Sequence, residues 1–252
     1  ASHELRTPLT SIRMGIGMLT EKTPFAEGSR EWDLLATVNE ELSRLMAGIS
    51  ADPNLKARFE RDGDDELALH GNGFNTRDAA QQWSCAPQQG WLATFPLAPH
   101  LVSCGQHWWD DHDENIETVL AHVQSIRGQF PIAQDRLLWS GFSKGGEVAM
   151  VMALRGILGQ KVFLTIGAGG YLHLEPEQWR PIIEAASPDV RGVMMVSPYD
   201  LDRIGKSLDV ILPMLADRGI VYQFVEYEAD GHVFPDDFAR RFREAVAFLF
   251  GR

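Results

Sequence analysis

Only two cysteines, Cys85 and Cys104, occur in 252 residues. That scarcity excludes a disulfide framework and reads as two buried or free thiols. Basic side chains are also few: 23 Lys and Arg stand against 35 Asp and Glu, a formal net charge of −12. No Lys/Arg patch offsets the deficit, which excludes a nucleic-acid partner and favours a neutral or weakly charged substrate. Apolar runs all fall short of the roughly 18 residues a membrane span needs. The first residues do not read as a signal peptide, because His3, Glu4 and Arg6 interrupt them and no apolar segment follows. A cytoplasmic protein is expected, and Ala1 in place of Met fits a trimmed boundary.

What is present falls into two regions of different periodicity. Leu5, Leu9, Ile12, Ile16 and Leu19 recur at heptad spacing; Leu35, Val38, Leu42, Leu45 and Ile49 do the same after a break holding Pro24 and Gly28. Residues 1–50 are therefore expected to form an antiparallel two-helix hairpin with one apolar stripe. Such a stripe cannot be buried by the hairpin alone, so it is expected to form a homodimer or dock on another domain. Asp52 and Pro53 end the second helix and mark the boundary to a domain over 52–252.

In that second domain short apolar runs alternate with amphipathic stretches. "LKARFE", "ELALHG", "GWLATFPLA", "RLLWSGF", "KVFLTIGAG", "RGVMMVSPYD" and "IVYQFVEYE" read as strands. "DENIETVLAHVQSI", "GGEVAMVMALRGIL", "IGKSLDVILPMLADRG" and "FPDDFARRFREAVAFLF" read as helices. The alternation predicts an α/β fold, a mostly parallel, doubly wound sheet covered on both faces.

One strand–helix junction carries chemistry. In "LLWSGFSKGGEVAM", Ser143 stands between Gly141 and Gly145 where a strand ends and a helix begins. Glycine two residues either side gives room for a sharp turn that lifts the serine Oγ clear of the sheet. A serine hydroxyl needs a base held by a carboxylate before it can act as a nucleophile. His232, in the loop "EADGHVFPDDF", is the candidate base, and Asp200, closing "VMMVSPYD", is the preferred acid over Asp202 because it lies nearer the strand end. The alternative for Asp200 is a helix cap. Ser143, Asp200 and His232 follow one another in the order of an α/β-hydrolase triad.

An oxyanion formed at Ser143 would need backbone donors. The amide of Lys144 is one candidate; Asn72, or less favourably Phe74, in the glycine-rich turn "HGNG" is the other. His70 is expected to tie that turn down. The acids Asp110, Asp111, Asp113 and Glu114 around His112 could suggest a metal, but acids crowding a first helical turn explain them better. Trp108 and Trp109 either line the cleft or pack a helix on the sheet. No metal or organic cofactor is expected.

Through "LHGNG", "GWLATFPLAPH" with "HWWDD", "GFSKGG" and "EADGHVFPDDF", residues 65–250 resemble the phospholipase/carboxylesterase group of the α/β-hydrolase superfamily. The resemblance implies hydrolysis of carboxylic esters, commonly short-chain, through an acyl-enzyme, with Ser143 as nucleophile and His232 as base. "SPYD" departs from the group's more usual G-x-x-D. "SHELRTPLTSIR" resembles the H-box of sensor histidine kinases, which implies His3 as phosphoacceptor, Glu4 as its acid/base neighbour and Thr7 as a phosphatase residue, with Pro8 bending the helix. Both helices look truncated and no glycine-rich ATP-binding domain follows, so the chain reads as a natural sensor–hydrolase fusion or, preferably, as an in-frame joining of a kinase fragment to an esterase, for instance through cloning. The alternative function is a signalling or interaction protein whose hairpin dimerises or accepts phosphate in trans.

Overall fold

The computed structural model describes residues 64–103, 106–110, 112–128, 130, 136–167 and 176–251. All of them belong to the unit Asp62–Arg252. The expected hairpin with its seam and His3, the boundary near residue 52, the strand candidate "LKARFE" and Cys104 lie outside the described residues.

Six strands form one parallel sheet: β1 (Asp64–Leu69), β2 (Trp91–Thr94), β5 (Leu137–Phe142), β6 (Val162–Ile166), β7 (Arg191–Val196) and β8 (Val221–Glu226). Their order is β2-β1-β5-β6-β7-β8, and every pairing is parallel. Parallel neighbours need crossovers, in which lie the helices α1 (Thr76–Gln82), α2 (Cys85–Gln88), α3 (His112–Arg127), α4 (Lys144–Leu154), α5 (Pro176–Ala185) and α6 (Pro198–Asp217), while α7 (Phe238–Phe250) follows the last strand. A short antiparallel hairpin, β3 (His100–Ser103) with β4 (Gln106–Trp108), stands apart from the main sheet.

Successive strand residues point to opposite faces, so each face builds its own core. Leu67, Leu69, Leu137 and Trp139 pack with Val119 and Val123 of α3, Val148 and Met152 of α4, Trp179 of α5 and Leu215 of α6. Ala68, Leu138 and Phe142 pack on the other side with Ala79 of α1, Ala86 of α2 and Phe238 and Phe242 of α7. Buried on both faces, β5 has no exposed residue along its length, and α4 behind it is buried on every side. Ser143 thus projects from the most enclosed strand and helix in the described fold.

Two expectations change in register. The strand read through Asp200 ends at Val196, and the helix read from Ile204 already starts at Pro198. Ser197 is extended (φ −83°, ψ 158°) and caps the helix, while Pro198, lacking an N–H, sits at a first-turn position where no intrahelical donor is required. Asp200 accordingly lies in the first turn of α6, not at a strand end. The β3–β4 hairpin and helices α1, α2 and α5 are additions to the elements read from the sequence.

Candidate active site

Backbone constraints at the β5–α4 junction come first. Ser143 has φ 54° and ψ −125°, a left-handed conformation rare for a residue with a side chain. Such strain costs on the order of 1–3 kcal/mol and persists where the surroundings enforce it. Here they do: the Ser143 N–H donates to the carbonyl of Ile166 on β6 at 2.9 Å, and its own carbonyl accepts from Gly146 and Glu147 in the first turn of α4. A side chain at Gly141 would overlap the Gly145 carbonyl, and one at Gly145 would overlap the carbonyls of Leu69 and His70. Glycine at both positions is what lets α4 fold back against the ends of β1 and β5.

The turn after β1 is fixed by a polar lattice. Ala98 N–H donates to His70 Nε2 (3.0 Å), so the proton of this buried imidazole resides on Nδ1, which donates to the Gly71 carbonyl (2.8 Å). Burial, with a smaller contribution from His107, pushes the His70 pKa down to about 4, while the Gly71 carbonyl and Asp78 act in the opposite sense. Trp109, fully buried, donates its indole N–H to the His70 carbonyl (2.7 Å) and its amide to Asn72 Oδ1 (2.8 Å). Gly73 N–H donates to the His107 carbonyl, His107 N–H to Phe74, and Phe74 N–H to Gly71. These bonds occupy the amides of Gly73 and Phe74; the amides of Asn72 and Lys144 have no partner among the described residues. Of the two alternatives for the second donor, Phe74 is therefore the one already engaged.

His232 and Asp200 meet: Nδ1 lies 2.7 Å from Asp200 Oδ1. Asp200 is wholly buried, whereas Asp202 is exposed and is not among the residues lining the cleft. Ser197 Oγ accepts the Asp200 amide (3.2 Å) and lies 2.9 Å from Asp200 Oδ2 and 3.1 Å from the Gly231 carbonyl, so its one proton serves either acceptor. The histidine loop is held from below. Tyr227 donates its hydroxyl to the Val233 carbonyl (2.7 Å), and the His232 ring leans on Phe142 with centroids 4.6 Å apart. Burial, then the nearby Asp200 charge, pushes the Tyr227 hydroxyl pKa up, keeping it a donor. Ser197 and Tyr227 were not singled out from the sequence. "SPYD" did carry a signal for Ser197, because serine three residues before an acid is a helix-start pattern.

Ser143, Lys144, Asn72, Asp200 and His232 line one cleft of about 300 Å³, together with Trp108, Tyr199 and Arg203. The two tryptophans divide their tasks: Trp108 lines the cleft and is 42% exposed, while Trp109 is structural. Of the acids in "HWWDDHDEN", Asp113 and Glu114 serve α3 and its surroundings, and Asp111 lies outside the described residues. Asp113 and Glu114 lie in its first turn, Asp113 pairs with Arg155 (2.8 Å), Glu114 with His100 (2.9 Å), and His112 Nε2 lies 2.9 Å from Glu147 Oε1. Among the described residues no group of His, Cys, Asp and Glu is arranged to hold a metal ion. Glu147 also takes the buried Lys144 ammonium at 2.6 Å. Burial opposes its ionisation, but His112 and Lys144 outweigh that and hold its pKa below the ordinary value.

The fold recurs in solved structures. Esterase PE8 superposes with a TM-score of 0.56 at 20% identity, covering 75% of this chain and 92% of that one. A phospholipase/carboxylesterase from Dyadobacter fermentans superposes with a TM-score of 0.52 at 14% identity, covering 74% and 91%. The fold is that of the α/β-hydrolases. Its sheet and both helical layers here lie within the unit Asp62–Arg252. Residues 1–51 match a separate family model, the His Kinase A (phospho-acceptor) domain. Over 46 residues the chain is 54% identical to the alginate biosynthesis sensor protein KinB of Pseudomonas aeruginosa; the match spans 18% of this chain and only 8% of that protein. No helix among the described residues is long and apolar enough to cross a membrane.

Proposed function

We propose that this α/β-hydrolase domain is a carboxylesterase-type serine hydrolase that cleaves short-chain carboxylic esters through an acyl-enzyme. The observation that carries the reading is the 2.7 Å contact of His232 Nδ1 with buried Asp200, at the cleft that Ser143 enters on a left-handed turn. With Nδ1 engaged by Asp200, Nε2 is the nitrogen that takes the Ser143 proton as Oγ attacks the ester carbonyl. The tetrahedral oxyanion is held by the amides of Lys144 and Asn72, which have no partner among the described residues. Collapse expels the alcohol, protonated by His232, and water repeats the sequence on the acyl-enzyme. No step calls for a metal or an organic cofactor. A cleft of about 300 Å³ is at the small end for ligand sites, which fits a short acyl chain.

Replacing the nucleophile tests the reading. Ser143→Ala is expected to lower kcat for p-nitrophenyl acetate by roughly 10⁴-fold or more with the circular-dichroism spectrum retained. Undiminished turnover in that variant removes Ser143 from the chemistry.

The match of residues 1–51 to a phospho-acceptor domain favours a second activity for the same chain. In that reading the segment forms a homodimer and His3 accepts phosphate in trans. The substrate in this proposal is a small-molecule ester, and the compartment proposed is the cytoplasm.

A further inference from the structure

Net charge led to the expectation of a neutral or weakly charged substrate, but the cleft has its own local balance of charge. Three charged side chains besides His232 line it: Lys144, Asp200 and Arg203. Lys144 is buried with its ammonium 2.6 Å from Glu147, and Asp200 is bound to His232. The Lys144 charge is therefore compensated inside the protein, and the Asp200 carboxylate is buried with His232 as its hydrogen-bond donor. Arg203 differs. It is exposed, and its described contacts are the Tyr199 carbonyl, to which Nη1 donates at 3.2 Å, and the Tyr199 ring, over which its guanidinium lies at 3.7 Å from the centroid. Neither is an anion. The neighbouring acid Asp202 makes no ion pair with it among the described residues, and Lys206, one turn on, only adds positive charge.

Stacking on Tyr199 fixes the guanidinium plane while leaving most of its five N–H donors unused, which is the pre-organised fork that binds a carboxylate through two parallel bonds. The sequence places it there for a geometric reason. Tyr199 and Arg203 are four residues apart on α6, hence on one face of the helix whose first turn also carries Asp200. Tyr199, 40% exposed, and Trp108, 42% exposed, give the same cleft two aromatic surfaces for the apolar body of a ligand.

Resting on the hydrolase reading above, we propose that the preferred substrates are carboxylate-bearing esters, their carboxylate held by Arg203 and their carbon skeleton lying against Trp108 and Tyr199. Arg203 is a specificity-determining residue; the bond cleaved and the groups that cleave it are unchanged. In a protein of net charge −12 a cation lining the cleft with no acidic partner among the described residues also gives anionic esters a local target.

The test compares esters of matched size with and without the charge. Mono-p-nitrophenyl glutarate places a carboxylate on the acyl side, with p-nitrophenyl pentanoate as its uncharged counterpart of equal chain length; p-acetoxybenzoate places it on the leaving group, with phenyl acetate as counterpart. The wild-type protein is expected to favour the charged member of at least one pair in kcat/KM. In Arg203→Gln that charged-to-neutral ratio should fall about tenfold or more, mainly through KM, since a carboxylate loses its charged two-donor partner. Arg203→Lys should recover only part of it, because an ammonium keeps the charge without the fork. Raising the salt from about 0.05 M to about 0.5 M should shrink the wild-type ratio and leave that of Arg203→Gln nearly constant. No preference in either pair, or a ratio unchanged in Arg203→Gln, overturns the inference while leaving the hydrolase reading intact. Failure of the wild type to cleave any of the four esters sinks the hydrolase reading, and the specificity falls with it.

Discussion

His70 shows how a single residue ties the proposed oxyanion turn to the stability of the domain. Its ring joins Ala98 to Gly71 and cannot accept a second proton without losing the Ala98 amide. Unfolded, the imidazole titrates near 6.5; folded, burial lowers it to about 4. Between those values the unfolded chain binds more protons, so the contribution is fully present above pH 6.5 and is lost as pH falls toward 4. The shift corresponds to about 3 kcal/mol. Burial also lowers the pKa of His122, which acts in the same direction. Urea unfolding of the wild type and of His70→Gln, at pH 7 and pH 4, checks this. Gln keeps an acceptor without a titrating ring, so its loss of stability between the two pH values should be smaller by about 3 kcal/mol. Equal losses in the two proteins would assign the acid sensitivity to other groups.

Among the elements, the first turn of α6 carries most of what sets the proposed acid in place. Ser197 caps the helix and touches the Asp200 carboxylate, so one hydroxyl serves both the element and the site. Ser197→Ala should cost about 1 kcal/mol as a lost cap. Losing a hydrogen bond to a charged carboxylate, of order 1.5 kcal/mol, should also lower kcat for p-nitrophenyl acetate about tenfold with KM little changed. A stability loss with kcat intact would confine Ser197 to capping. The same turn marks where the sequence was hard to read. "RGVMMV" runs straight into "SPYD", and apolar continuity argued for strand where the Ser–Pro start signal was correct. The β5–α4 junction was legible because hard-sphere overlap at Gly141 and Gly145 leaves the sequence little choice. The β3–β4 hairpin was not: its strands span only His100–Ser103 and Gln106–Trp108, too short for a period-2 pattern to register. Yet that hairpin takes up the Gly73 amide through the His107 carbonyl and donates the His107 amide to the Phe74 carbonyl, and so anchors the turn. Helix α5 was obscured by Pro181 inside it. Ser143 and His232 could be picked out from motif and order; Tyr227 and Arg203 depend on contacts that only the folded chain brings about.

At the scale of the whole molecule, two kinds of sequence pattern share one chain, and each has its own energetic requirement. The hydrolase fold encloses its own two cores, and every residue proposed for ester cleavage lies between Asn72 and His232. Residues 1–51 match a phospho-acceptor domain, and in the expected hairpin the heptad-spaced stripe would need a partner surface to be buried. A closed, two-fold pairing of chains meets that need with the fewest new contacts. Removing residues 1–61 should therefore convert a dimer to a monomer in light scattering while leaving kcat/KM per chain for p-nitrophenyl acetate within about twofold, as expected when a domain has its own core and its own site. Incubating the full chain with a histidine-kinase ATP-binding domain and labelled ATP tests the remaining role of that segment, with label lost in His3→Gln as the expected result. Should the shortened chain scatter as the same oligomer, the stripe is not the dimer seam. Should it lose ester turnover while remaining folded, the hydrolase depends on the segment, and the independence of the two regions is wrong.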